Sequence, residues 1–166
     1  HRQDSVGSLL HDNGKPVLRK VMEDILRSTS HFGDDSQCNP MVGVVVTKVV
    51  SVNNPPLWHE YCGTCDTFAL KALTRGHSLT PMMRSKATET LQKACGDNLF
   101  WTSANRAINE VWAFHGTKMG LARNIAATGF DPKRCLNGYY GRGFYLAQES
   151  CKSFQYTDAG KFGNNG

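Results

Sequence analysis

The sequence predicts an α+β domain, because segments with helical spacing of apolar residues alternate with short segments rich in valine or aromatic residues. Residues Pro16–Ser28 carry apolar side chains three or four positions apart, which is typical of an amphipathic helix. The run 41–52 is rich in valine and predicts a buried strand. The short apolar segment 144–147 follows two glycines and predicts a further strand.

Three more helices are indicated between these strands. The segment 55–73 begins with two prolines and repeats apolar residues every three or four positions, so we expect an amphipathic helix with Cys65 on its core face. The segments 80–95 and 121–128 also have helical composition. Gly129 follows the last of them, where a glycine typically ends a helix.

A short strand and a turn complete the elements in the second half of the chain. Residues 111–114 predict a strand that carries His115 to the edge of a cleft. Within the segment 131–139, Asn137 and Gly138 predict a tight turn, because asparagine and glycine both tolerate the backbone conformations that such turns require.

The most informative stretch of the chain begins at Gly141 and ends at Tyr156. Gly141 and Gly143 have no Cβ atom, which permits positive φ angles and lets a ligand approach the backbone closely. Ser153 and Tyr156 are three residues apart in a segment of helical composition and should share a face. A flat aromatic amide held between Tyr145 and Tyr156, with the Ser153 hydroxyl on its carboxamide, would gain stacking, a hydrogen bond and burial.

Several short motifs follow one another along the chain, in the segments 52–61, 109–110, 114–117, 128–131, 140–147 and 152–156. Taken together and in this order, they resemble the poly(ADP-ribose) polymerase catalytic domain, one of the diphtheria-toxin-like ADP-ribosyltransferases. A single glycine-x-glycine would be weak evidence, but several motifs in family order are specific. The resemblance extends from about residue 44 to residue 156.

This resemblance implies a fold, an activity and a set of site residues. The fold would be the ADP-ribosyltransferase fold, with twisted, mostly antiparallel sheets that form an NAD cleft and with flanking helices. The domain would cleave the bond between nicotinamide and ribose in NAD and transfer ADP-ribose to an acceptor. By similarity, His115 would bind the adenosine-side ribose, Gly116 would pair with the nicotinamide carboxamide and Thr117 would support the pocket. Tyr145 and Tyr156 would hold the nicotinamide ring, with Ser153 on its carboxamide; His115 and Tyr145 are the expected catalytic residues.

The family places a third functional residue, often a glutamate, on a later strand. No acidic residue of this chain matches that position, because Glu149 and Asp158 lie in or just after the Ser153 segment. We therefore expect the chain as written to be inactive. We also expect it to be truncated at both ends, because it begins at His1 and ends in a segment rich in glycine and asparagine. Its organisation would be an N-terminal helix and linker over 1–40 and an incomplete catalytic domain over 41–166. The alternative is a noncatalytic module that binds NAD or ADP-ribose.

Composition agrees with a single globular domain and limits the partners. Of the 166 residues, 40% are hydrophobic and 20% are charged, which is near the average for such domains. No apolar run is long enough to predict a membrane span. The formal charge of +5 favours acidic partners, but the basic residues are dispersed, so a solvated basic surface competes with a nucleic-acid groove. Besides NAD, we expect a protein acceptor, with nucleic acid as the alternative.

The six cysteines allow either a disulfide or a zinc interpretation, and neither is favoured. His59, Cys62 and Cys65 offer three metal ligands, but a second pair of cysteines at the usual zinc spacing is missing. We therefore expect no metal and reduced cysteines that pack in the interior. Such usage is compatible with a reducing compartment, so we expect an intracellular protein, cytoplasmic or nuclear.

Overall fold

A computed structural model describes residues 10–12, 16–30, 38, 41–74, 88–89, 93 and 106–159. These residues combine helices with two small antiparallel sheets of two strands each. The helices are α1 (Pro16–Ser28), α2 (Pro55–Thr74), α3 (Met119–Thr128) and α4 (Ser150–Phe154). The strands are β1 (Leu10–Asp12), β2 (Val50–Val52), β3 (Leu136–Gly138) and β4 (Gly141–Gly143). Two 3-10 turns, Arg106–Ile108 and Pro132–Arg134, complete the regular structure of this part of the chain.

Helix α1 has the bounds that its apolar spacing predicts, but the valine-rich run after it is a strand only at its end. The expected buried strand over 41–52 is wrong, because β2 is short and Val42 and Val45 are 75% and 72% exposed. Side chains of α1 hold this backbone instead: Arg27 donates to the Val44 carbonyl at 2.9 Å, and the Val46 N–H donates to Glu23 at 3.0 Å. Such bonds take the place of those that a neighbouring strand would supply.

Strand β2 pairs with β1, and this pairing is not predicted from the sequence. The two strands are antiparallel, with Leu10 opposite Val52 and Asp12 opposite Val50. The pairing places the start of the described chain beside the segment that leads directly into α2.

Helix α2 begins at its two prolines, as predicted, and ends one residue beyond the predicted segment, at Thr74. Its core face is less buried than the apolar spacing suggests. Cys65 is only half-buried, and Phe68 on the same face is 60% exposed. The prediction that Cys65 lies on a core face is therefore wrong, because no residue of α2 is buried.

Helix α3 extends two residues earlier than the predicted 121–128 and ends at Gly129, as expected. Gly129 has φ +78°, and its N–H donates to the Ile125 carbonyl at 2.8 Å. The side-chain amide of Asn54 donates to the carbonyls of Ala126 and Ala127 at 2.9 and 3.0 Å. Asn54 therefore satisfies carbonyl groups that the last turn of a helix would otherwise leave unpaired.

A hairpin of β3 and β4 follows, and its turn differs from the predicted one. Gly138 lies in β3 opposite Gly141 in β4, so the turn is formed by Tyr139 and Tyr140 rather than by Asn137 and Gly138. Gly141 has φ +95°, which explains the glycine at that position. Gly138 is required for another reason, because a Cβ atom there would collide with the ring of Tyr145.

The buried apolar cluster of the described chain joins the region after α1 to the start of α4. It consists of Cys38, Met41 and Cys151, with Val44 packed against it. Cys38 and Cys151 are linked as a disulfide with Cα atoms 5.3 Å apart, within the usual range for such bonds. The two cysteines are buried, as expected, but the expectation that they are reduced is wrong for this pair, because packing brings their sulfur atoms into bonding contact. Cys62, Cys65 and Cys135 are free thiols.

Two of the predicted elements are seen only in part. The helix expected over 80–95 lies mostly outside the described residues; within it Thr88, Glu89 and Lys93 are helical. Thr88 is buried, and its hydroxyl accepts a hydrogen bond from the Trp112 N–H at 2.9 Å. The strand expected over 111–114 is reduced to a bridge at Phe114. Across the residues that the structure describes, no helix has the length and apolar character that a membrane crossing requires.

Candidate functional site

Two of the sequence motifs meet through a pair of backbone hydrogen bonds. Phe114 and Ala147 face each other in an antiparallel bridge, in which each N–H donates to the other residue's carbonyl, at 2.7 and 2.9 Å. The prediction of a regular strand over 144–147 is therefore wrong, since β4 ends at Gly143 and only Ala147 pairs, in an isolated bridge. The bridge nevertheless brings His115 beside Tyr145, as the candidate site requires.

The imidazole of His115 is held by the backbone of the second motif and by an aromatic neighbour. Its Nδ1 atom lies 3.0 Å from the Tyr145 carbonyl oxygen, a distance suited to an Nδ1–H that donates. The edge-to-face contact with Phe130 has a centroid separation of 5.0 Å, and Phe130 in turn packs on Phe144 at 4.6 Å. With Nδ1 engaged, Nε2 is the nitrogen that can accept a hydrogen bond from a ligand.

Gly116 lies directly against the backbone of Ser153. A Cβ atom at position 116 would collide with the Ser153 carbonyl group, so only glycine allows this approach of the His115 segment to α4. The family resemblance implies that Gly116 pairs with the nicotinamide carboxamide, and the contact with Ser153 is a separate reason for glycine at this position. Thr117, which follows, is half-buried.

Ser153 is the most buried of the predicted site residues. It is 8% exposed, within a helix that is five residues long. Its N–H donates to the Glu149 carbonyl at 3.4 Å and its carbonyl accepts from the Tyr156 N–H at 3.1 Å. The Ser153 hydroxyl forms no hydrogen bond with any residue that the structure describes, so its donor and acceptor capacity is available to a ligand.

The position of Tyr145 is fixed by the hairpin. Its hydroxyl accepts from the Tyr140 N–H at 2.9 Å and donates to the Gly141 carbonyl at 2.6 Å. Its ring lies over Gly138 and stacks on Tyr140 with a centroid separation of 6.5 Å and an angle of 24°. Tyr156, the other expected ring, is 60% exposed just after α4. Of the two expected pocket rings, Tyr145 is thus held by the hairpin, and Tyr156 lies just after α4.

Three carboxylates in the described part of this region are engaged with protein groups. Asp158 accepts from the Met119 N–H at 3.4 Å, and Asp131 accepts from the Lys133 N–H at 3.0 Å. The Tyr61 hydroxyl donates to Glu110. Partial burial, together with this hydrogen bond, raises the pKa of Tyr61 well above its ordinary value. None of these contacts directs a carboxylate to the Tyr145 ring.

Sequence reasoning does not find two neighbours of the site. Phe130 lies in one of the quoted motifs, but only the fold shows that it supports His115. Glu149 lies 3.5 Å from the Cys38 sulfur and 3.8 Å from the Cys151 sulfur. Among the described residues this trio is the group whose side chains come close enough to share a metal ion, and it does not include His59, Cys62 or Cys65.

The comparison with protein families agrees with this geometry. The family model for the poly(ADP-ribose) polymerase catalytic domain matches residues 28–166, and the chain therefore belongs to this family. Membership implies the ADP-ribosyltransferase fold, with which the mixture of helices and small antiparallel sheets agrees. Members are ADP-ribosyltransferases that use NAD as their substrate. A search of curated proteins found no match for the chain.

Proposed function

We propose that this domain binds NAD with its nicotinamide ring between Tyr145 and Tyr156 and transfers the ADP-ribose group to a protein acceptor. The carboxamide would be held by the Ser153 hydroxyl and by the backbone of Gly116. His115 would bind the adenosine-side ribose through Nε2. Nucleic acid is the alternative acceptor, and we place the reaction inside the cell, in the cytoplasm or nucleus.

The observation that carries this proposal is the Ser153 hydroxyl, which belongs to a residue 8% exposed and has no partner among the described residues. Among the described residues, the fully buried side-chain atoms without a partner are Arg19 Nε and Arg27 Nε, so the Ser153 hydroxyl is within reach of water or of a ligand. A carboxamide offers both a donor and an acceptor, so it would complete the hydrogen bonding of the hydroxyl. Family membership makes nicotinamide the natural source of that carboxamide.

The chemistry assigned to the site is the cleavage of a glycosidic bond. As the bond between ribose and nicotinamide breaks, positive charge develops on the sugar, and fixed dipoles or a carboxylate facing it lower the barrier. Clamping both ends of NAD would add an orientation effect of up to about 7 to 11 kcal/mol where alignment is ideal. His115 and Tyr145 lie on one bridge-connected unit, so they are suited to hold the two ends in a fixed relation.

A second candidate function is a noncatalytic NAD-binding module. It is favoured because nearby carboxylates are engaged with other protein groups. Within the described residues, Glu110, Asp131 and Asp158 are each bound to another protein group. A site without a carboxylate would retain the nicotinamide pocket but lose stabilisation of the ribosyl cation. Under this second candidate, we expect nicotinamide binding without turnover of NAD.

The experiment that tests the pocket is calorimetric titration with nicotinamide or benzamide. Tyr145→Ala should weaken binding by about 1 to 3 kcal/mol, because stacking and burial are lost. Tyr139→Ala is the matched control, since Tyr139 is in the same hairpin but is 95% exposed. Tyr145→Phe keeps the ring and removes the hydroxyl that is bonded to the hairpin, so it separates stacking from loss of hairpin structure.

Equal losses for Tyr145→Ala and Tyr139→Ala would refute the ring clamp. Incubation with labelled NAD then separates the two functions, with nicotinamide release and label on protein measured together. Turnover that is abolished by Tyr145→Ala would establish the transferase and exclude the noncatalytic module. Binding without turnover would favour the module.

A further inference from the structure

The buried disulfide between Cys38 and Cys151 lies next to the proposed nicotinamide site. The bond joins residues 113 positions apart, and both cysteines are almost inaccessible, at 2% and 3% exposed. Cys151 is the second residue of α4, and Ser153 is the fourth. The bond therefore attaches the short helix that carries the buried site serine to the segment that follows α1.

The same end of α4 is attached by two hydrogen bonds, one to α1 and one to the residue that follows it. The Ser150 N–H donates to the Thr29 carbonyl at 3.0 Å, and the Ser150 hydroxyl donates to the Leu26 carbonyl at 2.6 Å. A helix of five residues is too short to be stable by itself, so its position depends on such attachments. Breaking the covalent link would remove one of the attachments that hold this end of α4.

Glu149 provides the two sulfur atoms with a partner when they are reduced. Its Oε2 atom lies within 3.5 and 3.8 Å of Cys38 and Cys151, a distance at which each thiol can donate a hydrogen bond to the carboxylate. The reduced sulfurs would therefore not be left as unpaired buried donors. The local structure accommodates both the disulfide and the dithiol, which is what a reversible bond requires.

We propose that Cys38 and Cys151 form a reversible dithiol–disulfide switch that tightens the nicotinamide site by fixing α4. The effect on binding rests on the function proposed above, whereas the existence of the switch does not. In the oxidation, a low-molecular-weight disulfide accepts two electrons and two protons from the two thiols. One sulfur–sulfur bond forms in the protein, the bond in the oxidant breaks, and two small thiols leave. An excess of small thiol reverses the reaction.

The physical basis of the effect is the ordering of α4. If α4 must be ordered when a ligand binds, part of the binding free energy is used for that ordering. The disulfide orders the helix beforehand. Fixing one or two side chains in this way should tighten nicotinamide binding by about threefold or more.

The test equilibrates the complete chain in mixtures of reduced and oxidised glutathione, followed by alkylation of free thiols and mass spectrometric mapping. As the proportion of oxidised glutathione rises, we expect Cys38 and Cys151 to become protected from alkylation together. We expect Cys62, Cys65 and Cys135 to remain alkylated. Benzamide affinity, measured by calorimetry on both forms, should be about threefold or more higher for the oxidised protein. Because the oxidised and reduced proteins have the same sequence, this comparison of affinities needs no variant.

Cysteine variants test whether the change in affinity comes from the Cys38–Cys151 pair. Cys38→Ser and Cys151→Ser should each show the affinity of the reduced form whatever the glutathione ratio, whereas Cys135→Ser should respond as the unsubstituted protein does. Retention of label on Cys38 and Cys151 in oxidised glutathione would overturn the switch. Equal affinities of the two forms would overturn its effect on the pocket.

Two other outcomes are informative. If neither form binds benzamide, the proposed function and the effect on the pocket both fail, while the thiol map still decides whether the bond exists. If zinc added to the reduced protein protects both thiols stoichiometrically, the trio with Glu149 is a metal site, and the switch is overturned.

Discussion

The Nδ1 atom of His115 lies 3.0 Å from the carbonyl oxygen of Tyr145, so the imidazole of one motif is oriented by the backbone of the other. Because of this contact, the Tyr145 ring and the free His115 nitrogen are available to different parts of a ligand. The tyrosine contributes a ring to the proposed nicotinamide pocket, and the histidine presents its remaining nitrogen to a different part of the ligand.

Replacement of His115 by alanine should therefore weaken NAD binding and leave benzamide binding nearly unchanged. Loss of one hydrogen bond to the ribose corresponds to about 0.5 to 1.5 kcal/mol, or roughly three- to tenfold in affinity. Calorimetry with both ligands measures the difference. His59→Ala, on the exposed surface of α2, is the control. A similar loss for both ligands would mean that His115 shapes the nicotinamide pocket instead.

Ser153 and Ser150 should respond to alanine in opposite ways. Ser153→Ala should lower benzamide affinity by roughly three- to tenfold and change stability by less than about 0.5 kcal/mol, because its hydroxyl has no partner among the described residues. Ser150→Ala removes the bond to the Leu26 carbonyl and should lower the free energy of unfolding by about 1 to 3 kcal/mol. Urea unfolding and calorimetry on both variants provide the comparison. If Ser153→Ala is the destabilising variant, its hydroxyl has a structural role.

Asn54 should be important for stability, because one side chain serves two helices. Its Oδ1 accepts from the Leu57 N–H at 3.3 Å at the start of α2, while its amide donates to carbonyls at the end of α3. We expect Asn54→Ala to lower the free energy of unfolding by about 1 to 3 kcal/mol. Asn53→Ala, at an exposed neighbour, should change it by less than about 0.5 kcal/mol. Equal values in urea titrations would contradict the bridging role.

Alkaline pH should destabilise the protein through Tyr61. Its pKa is raised in the folded state by burial and by the bond to Glu110, whereas in the unfolded chain it has the ordinary value near 10. The unfolded state therefore ionises first, so this contribution to stability is complete below about pH 10 and decreases as the pH rises further. Unfolding free energies from about pH 8 to pH 11 should fall more steeply for the unsubstituted protein than for Tyr61→Phe. Tyr139→Phe should follow the unsubstituted protein; parallel curves for all three would exclude Tyr61.

Local sequence signals predicted the helices well. The bounds of α1, the two prolines that begin α2 and the Gly129 that ends α3 are local features, and each appears where the sequence places it. The valine-rich run was predicted wrongly because β-branched residues indicate only a preference for extended backbone. Whether such a segment joins a sheet depends on its partners, and here the backbone groups of Val44 and Val46 are taken by side chains of α1.

Contacts between distant parts of the chain account for what the sequence did not show. Asn137 and Gly138 have the composition of a turn, but the ring of Tyr145 over Gly138 explains the glycine, and the turn falls on two tyrosines. The bond between Cys38 and Cys151 depends on the packing of α4 on α1, which no spacing of cysteines encodes. The residues of the proposed site were named from motifs, and their roles stay predictions.

The bond from the Tyr140 N–H to the Tyr145 hydroxyl makes the hairpin a sensor of the pocket. An amide proton exchanges with solvent deuterium only when its hydrogen bond opens. A ligand ring that packs on Tyr145 restricts the movement of its side chain and should therefore slow exchange at Tyr140, although the amide itself does not touch the ligand. Occupancy of the site can thus be read from one backbone position, without labelling the ligand and without any turnover.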